Sequence, residues 1–186
     1  MLLVVGGQAS KVGKTSVVEG LIRSLPGCHW TALKISGHSH GGRGPCELTE
    51  EREAGPGDSG RYLAAGARRS FWLRAAPGEL RAALPALREI LAAGPHTVIE
   101  SNSILEFLRP DLFLFVLDTA RGDLKHSALR FIGRADALVV IERGDGLPAW
   151  TGIPQESWDA KPRFAARPPD YVPAALSAYV RERLAG

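Results

Sequence analysis

The chain has 186 residues, a length typical of one domain with one hydrophobic core. Its composition, 45% hydrophobic and 23% charged, is ordinary for a globular protein, and its formal charge of +3 suits a small anionic ligand but not a nucleic-acid surface. Because no apolar run is long enough to span a bilayer and two cysteines make no disulfide framework, we expect one cytoplasmic domain over residues 1–186 that binds neither nucleic acid nor membrane.

Short apolar runs alternate with segments of helical spacing along the chain. The predicted strands cover residues 2–5, 29–35, 70–74, 97–100, 112–118 and 137–142. The predicted helices cover residues 14–25, 58–66, 77–91, 104–108, 125–132 and 173–184. Two stretches lack a period, and we interpret 37–57 as a long loop and 144–172 as an irregular segment. This alternation predicts an α/β fold of three layers, in which helices cover both faces of a mostly parallel central sheet.

A glycine-rich segment joins the first predicted strand to the first predicted helix. Glycines let backbone N–H groups turn onto phosphate oxygens, and the helix N-terminus adds partial positive charge. We therefore predict a P-loop that holds the phosphates of ATP or GTP, with Lys14 on the β- and γ-phosphates and the Thr15 hydroxyl on Mg²⁺. The predicted nucleotide-binding residues are Gly7, Gln8, Ala9, Ser10, Lys11, Val12, Gly13, Lys14, Thr15 and Ser16.

The loop departs from the common P-loop pattern at its first glycine. That pattern places a glycine where this chain has Gln8, and Gly7 stands one residue earlier. The longer spacing resembles the loops of dethiobiotin synthetases and related deviant P-loop proteins. Lys11 is either a second phosphate contact or a solvated lysine. The alternative to a P-loop is a glycine-rich turn without a ligand.

A P-loop NTPase also needs a carboxylate at the end of a neighbouring strand. Glu100 and Asp118 each end a predicted strand, at the sheet edge where open α/β folds bind ligands. We favour Glu100 as the Mg²⁺ and catalytic carboxylate, because the polar residues Ser101 and Asn102 follow it. A solvent-facing charge is the alternative for both strand ends. Asp58 is a third candidate, with a helix cap as its alternative role.

The end of the predicted strand 137–142 bears on the choice of base. Glu142-Arg143-Gly144-Asp145 stands where GTP-binding proteins often place Asn-Lys-x-Asp. Asp145 is therefore a candidate acceptor for the guanine edge, and the Arg143 stem a candidate cover for the base. A plain polar turn is the alternative, so the sequence leaves ATP and GTP both open.

Histidines and cysteines cluster in the sequence around the second predicted strand. His38 and His40 follow the strand, with Cys28, His29 and Cys46 near them in the chain. These residue types suit a soft transition metal, but their spacing matches no strong zinc signature. A loop whose histidines meet phosphate or substrate is the alternative.

Four segments are together similar to the molybdopterin-guanine dinucleotide biosynthesis accessory proteins of the MobB type. They are the P-loop, the segment 33–40 with its lysine and histidines, the segment 58–67 that begins Asp-Ser-Gly-Arg, and the strand 98–100 that ends in glutamate. The order Lys34-Ile35 is the reverse of that family's, and Ser101 stands where the family has glycine. The strands between 109 and 142 look more like those of dethiobiotin synthetases or of the GTPases that mature nickel enzymes.

The resemblance implies a protein that binds GTP or ATP with Mg²⁺. Such a protein hydrolyses the nucleotide slowly, or uses it to assist cofactor assembly by a partner enzyme, and commonly forms a homodimer with the nucleotide near the interface. The histidine segment and residues 58–61 are then switch-like parts near the γ-phosphate.

Three functions remain open from the sequence. The first is an accessory NTPase in the maturation of a cofactor or metallocentre. The second is an ATP-dependent small-molecule kinase or ligase of the dethiobiotin-synthetase type, in which the loop 37–57 binds the acceptor and Lys11, Lys34 or Arg61 steadies its charge. The third is a nucleotide-dependent interaction module without turnover.

Overall fold

The computed structural model describes residues 1–37, 46–76, 78–143 and 153–185. Its strands are β1 (Leu2–Gly7), β2 (Thr31–Gly37), β3 (Cys46–Glu51), β4 (Arg69–Ala75), β5 (Thr97–Glu100), β6 (Leu112–Asp118), β7 (Ala137–Ile141) and β8 (Arg163–Ala166). Within these residues they form one eight-stranded sheet in the order β3-β4-β2-β5-β1-β6-β7-β8. The β3–β4 pair is antiparallel and the other neighbours are parallel. The mostly parallel sheet predicted from the sequence is confirmed.

Helices cover both faces of this sheet. They are α1 (Lys14–Ser24), α2 (Asp58–Ala64), α3 (Leu84–Ala92), α4 (His126–Ile132) and α5 (Ala174–Ala185). Alternate residues of β1 show the two faces, since Leu3 and Val5 pack with α1, α2 and α5 while Val4 packs with α3 and α4. The three-layer α/β prediction is therefore confirmed. No helix in the described part of the chain is long and apolar enough to cross a membrane.

Two strands lie where the sequence indicated loop. β3 falls inside the predicted loop 37–57, and β8 inside the predicted irregular segment 144–172. Both are edge strands, and β3 reads Cys-Glu-Leu-Thr-Glu-Glu. An edge strand pairs on one side only and is often charged, so it carries little of the apolar signal that marks a central strand. Residues 38–45 and 144–152 lie outside the described residues.

Two predicted helices differ in detail. The predicted helix 77–91 is a 3₁₀-helix, Glu79–Ala83, followed by α3. Pro85 lies in the first turn of α3, where its missing N–H does no harm, and so favours a helix start at Leu84. Asp58 is not the cap of α2, because Gly57 holds that position and Asp58 lies in the first helical turn.

Candidate functional site

A cleft of about 590 Å³ opens along the carboxyl edge of the sheet. It runs from the end of β2, past β5 and the loop after β1, to the segments that follow β6, β7 and β8. Open α/β sheets bind ligands at this edge. Its charged lining is mainly cationic: Lys11, Lys14, Lys34, Lys125, Arg61 and Arg143 against Asp58 and Glu100.

The P-loop has the strand-loop-helix geometry that the sequence predicts. β1 ends at Gly7, and Gly13 caps α1 with φ of +100°. A Cβ atom on Gly7 would lie 2.9 Å from the Val116 carbonyl oxygen and 3.1 Å from the Lys14 stem. Both positions therefore need glycine, one for close approach and one for its backbone angle.

Gln8 explains how the loop works without the usual first glycine. Its side chain is fully buried, and Oε1 accepts the Asp118 backbone N–H at 2.7 Å while Nε2 donates to the Arg121 carbonyl at 3.0 Å. The side chains of Gln8 and Val12 do not line the cleft. The Gln8 backbone N–H donates to the Val116 carbonyl at 3.0 Å, so the side chain and the N–H of Gln8 both have partners within the protein.

Asn102 fixes the start of the loop. Its Oδ1 accepts the Gly7 N–H at 2.9 Å, and its Nδ2 donates to the Gly7 carbonyl at 2.8 Å. The sequence suggested polar groups here near the phosphates; Ser101 and Asn102 both line the cleft, and Asn102 also clamps the loop backbone.

The ammonium group of Lys14 lies inside the loop. Its Nζ donates to the Ala9 carbonyl at 2.6 Å. Burial lowers the pKa of Lys14 to about 8, with Glu100 acting to raise it and the cations of Lys34 and Lys125 acting to lower it further. A phosphate anion beside Lys14 would restore its usual charge, because an opposite charge favours the protonated form.

Glu100 is the buried carboxylate of the site, only 2% exposed. It accepts hydrogen bonds from the Thr15 hydroxyl at 2.8 Å, from the Tyr62 hydroxyl and from the Lys34 ammonium. Burial raises the pKa of Tyr62 well above its usual value, and the Glu100 charge adds to this effect. Sequence reasoning missed Tyr62, since a tyrosine in an amphipathic helix is usually a core residue.

Thr15 and Glu100 fit a Mg²⁺ ion. Adjacent ligands of an octahedral Mg²⁺, each about 2.0–2.1 Å from the metal, are about 2.9 Å apart. The Thr15 Oγ1 and Glu100 Oε2 atoms are 2.8 Å apart, with a hydroxyl and a carboxylate of the kind that Mg²⁺ prefers. These two residues would hold the ion.

Asp58 and Arg61 bring α2 to the same cleft. Asp58 Oδ2 lies 3.0 Å from Lys34 Nζ. Arg61 donates to the buried Glu19 of α1 at 2.5 and 3.1 Å, and its Nη2 lies 3.5 Å from Ser16 Oγ. The hydrogen bond to Glu19 raises the pKa of Arg61 above its usual value. Both side chains line the cleft beside the loop, and both are partly exposed to solvent.

Asp118, the other predicted strand-end carboxylate, has different partners. It is 2% exposed, and Arg143 donates to its Oδ2 at 2.8 Å. The Ala120 N–H donates to its Oδ1 at 2.9 Å. Asp118 does not line the cleft. Of the two strand ends, Glu100 is the one beside Thr15, and its role at a metal stays a prediction.

Tyr171 closes the far end of the cleft, which the sequence did not indicate. A Cβ atom on Gly13 would lie 2.9 Å from its ring, and its hydroxyl lies 3.4 Å from Arg143 Nη2. It follows β8 in a segment without periodicity, so only the sheet order reveals it. Asp145 lies outside the described residues, and its role in base recognition stays a prediction.

The two cysteines of the candidate transition-metal site lie at opposite edges of the sheet. Cys28 precedes β2 at the amino edge of the sheet, whereas Cys46 pairs with Ala75 at the carboxyl edge. Both thiols are free, and the described ranges contain no group of three histidine, cysteine or acidic residues that could hold a metal. His38 and His40 lie outside those ranges.

No family model and none of the curated proteins matches this chain. Among solved structures the chain is similar to the "apo" form of LpxK from Aquifex aeolicus in complex with ATP, with a TM-score of 0.52 and 19% identity. The likeness covers 88% of this chain and 53% of LpxK, so the chain spans about half the length of that protein. The present chain has a P-loop NTPase fold. At this identity the likeness shows the fold alone, which agrees with the strand-loop-helix geometry of residues 7–16.

Proposed function

We propose that this chain binds a nucleoside triphosphate together with Mg²⁺ and cleaves its terminal phosphate. The observation that carries the proposal is the position of Thr15, which places a hydroxyl of the P-loop helix 2.8 Å from a buried carboxylate inside a cationic cleft. Phosphoryl transfer is catalysed mainly by positioning and by charge stabilisation. These residues supply both.

Each residue of the site has a chemical task in this proposal. Backbone N–H groups of the loop bind phosphate oxygens, and Lys14 stabilises the charge between the β- and γ-phosphates. A Mg²⁺ ion on Thr15 and Glu100 supplies further neutralisation of the phosphates when it is bound. Asp58 is a candidate acceptor for the proton of the attacking group, because it lines the cleft and is 41% exposed.

Calorimetric titration with ATP and with GTP, each with and without Mg²⁺, tests the proposal. We expect binding that Mg²⁺ strengthens and that Lys14→Ala reduces by at least about a hundredfold. Lys161→Ala is the matched control, since Lys161 also donates to backbone carbonyls, those of Gly133 and Ala135, but outside the cleft. If neither nucleotide binds at high micromolar concentration, the proposal is wrong.

An accessory role in the assembly of a cofactor, of the molybdopterin-guanine dinucleotide kind, or of a metallocentre is our first proposal for the finer function. The segments that carried the sequence resemblance support it, because Lys34, Asp58, Arg61 and Glu100 meet at one cleft. In this role turnover is slow and rises with a partner enzyme, and a homodimer forms. Turnover assays with fractionated partner proteins, beside ultracentrifugation with and without nucleotide, test both expectations.

Phosphoryl transfer to a small acceptor is the second candidate. The cleft continues past Glu100 to Ser36 and Gly37 at the end of β2, beyond the P-loop. Lys34 and Asp58 in this part could bind and deprotonate an acceptor. Acceptor-stimulated formation of the nucleoside diphosphate would favour this candidate. Tight binding without turnover would instead favour the interaction module.

A further inference from the structure

Lys34 lies between two carboxylates at the centre of the cleft. Its ammonium group donates to Glu100 Oε1 and lies 3.0 Å from Asp58 Oδ2. Its side chain is 16% exposed, that of Glu100 is 2% exposed and that of Asp58 is 41% exposed. One cation is therefore shared by a buried anion and a half-exposed one.

The two oxygens of Glu100 have different partners. Oε2 accepts the hydroxyls of Thr15 and Tyr62, whereas Oε1 holds Lys34. A buried carboxylate without a counter-charge is strongly destabilising, and Lys34 supplies that charge. A divalent cation at Thr15 and Glu100 would then lie close to an ammonium on the same carboxylate, and the two positive charges would repel each other.

The surroundings of Lys34 offer it another position. Lys34 is near enough to Lys14 to lower its pKa, and both ammonium groups face the cleft. A lysine has a flexible four-carbon stem, so its ammonium can move while the backbone of β2 stays fixed. Asp58, at 3.0 Å, can keep hold of the ammonium during such a movement.

Resting on the proposed function, we propose that Lys34 is an exchangeable counter-ion of Glu100. It neutralises Glu100 while the cleft holds no nucleotide, and it moves to the terminal phosphate, anchored by Asp58, when Mg²⁺ and a nucleoside triphosphate bind. Lys34 is then a catalytic residue whose resting position competes with the metal. The ligand it recognises is the third phosphate, which a nucleoside diphosphate lacks.

The first part of the proposal, that Lys34 on Glu100 competes with the metal, is tested without nucleotide. Mn²⁺ takes the same oxygen ligands as Mg²⁺, and its binding can be followed by electron paramagnetic resonance. We expect Lys34→Gln to bind Mn²⁺ about tenfold more tightly than the wild type, because a competing positive charge is gone. The control Lys125→Gln removes an equal charge from the cleft lining, with no hydrogen bond to Glu100, and should change the affinity less than about twofold. Equal effects of the two substitutions, or no effect of Lys34→Gln, would overturn the proposal.

The bound half is tested by calorimetry in the presence of Mg²⁺. Lys34→Gln should weaken the binding of the triphosphate about tenfold and leave the diphosphate within about twofold, because only the triphosphate reaches Lys34. Equal weakening of both nucleotides would overturn this half. If the wild type binds neither nucleotide, the proposed function is wrong. The Mn²⁺ titration then still decides whether Lys34 competes with a metal.

A second variant covers the case in which Lys34→Gln fails to fold. Asp58→Asn alters a half-exposed residue of the first turn of α2 and leaves Lys34 on Glu100. Without its anchor Lys34 should not transfer to the phosphate, so triphosphate binding should weaken about fivefold while diphosphate binding stays constant. Unchanged triphosphate binding in Asp58→Asn would overturn the proposal.

Discussion

Glu100 and Asp118 are two carboxylates in matching positions with different surroundings. Each ends a strand that pairs with β1, and each is 2% exposed. Glu100 is held by side chains from three elements, namely Lys34, Tyr62 and Thr15. The Asp118 carboxylate accepts hydrogen bonds from Arg143 and from the Ala120 backbone N–H. Burial at a strand end therefore does not distinguish the two carboxylates, whereas the neighbouring Thr15 hydroxyl makes Glu100 the candidate for the metal.

Neutralising each carboxylate in turn is the most direct test of which one serves the metal. Glu100→Gln should reduce turnover at least about a hundredfold and abolish the Mg²⁺ enhancement of nucleotide binding, because its charge is needed at the metal. Asp118→Asn should keep that enhancement and lower the free energy of unfolding by roughly 1–3 kcal/mol, through a weakened bond to Arg143. Calorimetry and denaturant titration measure the two effects. Loss of Mg²⁺ dependence in Asp118→Asn would reverse the assignment.

A change of pH should act differently on the two ends of the cleft. Lys14, at the end beside Glu100, can lose its charge, whereas Arg143, which donates to Asp118 at the other end, stays charged. The pKa of Lys14 is about 8, so the fraction of charged Lys14 falls as the pH rises through 8. Triphosphate affinity should therefore fall roughly tenfold from pH 7 to pH 9. Binding at pH 8–9 should also take up a proton, which titrations in buffers of different ionisation enthalpy detect. Lys14→Arg should remove the pH dependence, and its persistence would assign the titration to another group.

At the end of the cleft lined by Arg143 and Tyr171, we predict that the Tyr171 ring contacts the nucleoside. Tyr171→Ala should weaken ATP or GTP binding about tenfold, through loss of the aromatic surface beside Gly13. Inorganic triphosphate should bind as in the wild type, because it has no base or ribose. Competition titrations with the two ligands measure the difference. Equal weakening of both ligands would mean that Tyr171 supports the loop rather than the nucleoside.

The smallest expected effect on binding comes from restoring the common P-loop glycine. Gln8→Gly removes the hydrogen bonds to the Asp118 N–H and the Arg121 carbonyl, and should lower the free energy of unfolding by about 2 kcal/mol. Nucleotide affinity should change less than about threefold, since the Gln8 side chain does not line the cleft and Asn102 still holds the Gly7 backbone. A more stable Gln8→Gly protein would contradict our account of the loop.

The parts of the fold that the sequence predicted depend on local patterns. The apolar runs of β1, β5, β6 and β7 and the spacing from Gly7 to Thr15 are each contained in a few consecutive residues. Glu100 could be selected for the same reason, since its strand and its following polar residues are contiguous. Local patterns thus sufficed for the inner strands of the sheet and for the strand-loop-helix turn, and they also selected Glu100 as the metal carboxylate, which stays a prediction.

The remaining features depend on residues that are distant in the chain. Tyr62 reaches Glu100 only because α2 packs against β2 and β4, beside β5, and Tyr171 reaches Gly13 only because β8 lies beside β7. The edge strand β3 takes its conformation from pairing with β4 rather than from its charged sequence. Tertiary pairing, which no short window contains, decided each of these features.

The burial of Gln8 has a consequence for how the ligand is received. Asn102 bonds to the Gly7 backbone, and the Gln8 side chain bonds to the end of β6 and to the segment that follows it. The start of the loop is therefore fixed before any phosphate arrives. Association then requires little loss of backbone conformational entropy, and its heat-capacity change should reflect only the surface that the ligand covers. The amide hydrogens of Gly7 and Gln8, which donate to Asn102 and to the Val116 carbonyl, should be protected from exchange to a similar degree in the free and the bound protein. The loop receives its ligand as a rigid receptor, and adaptation is confined to side chains such as Lys34.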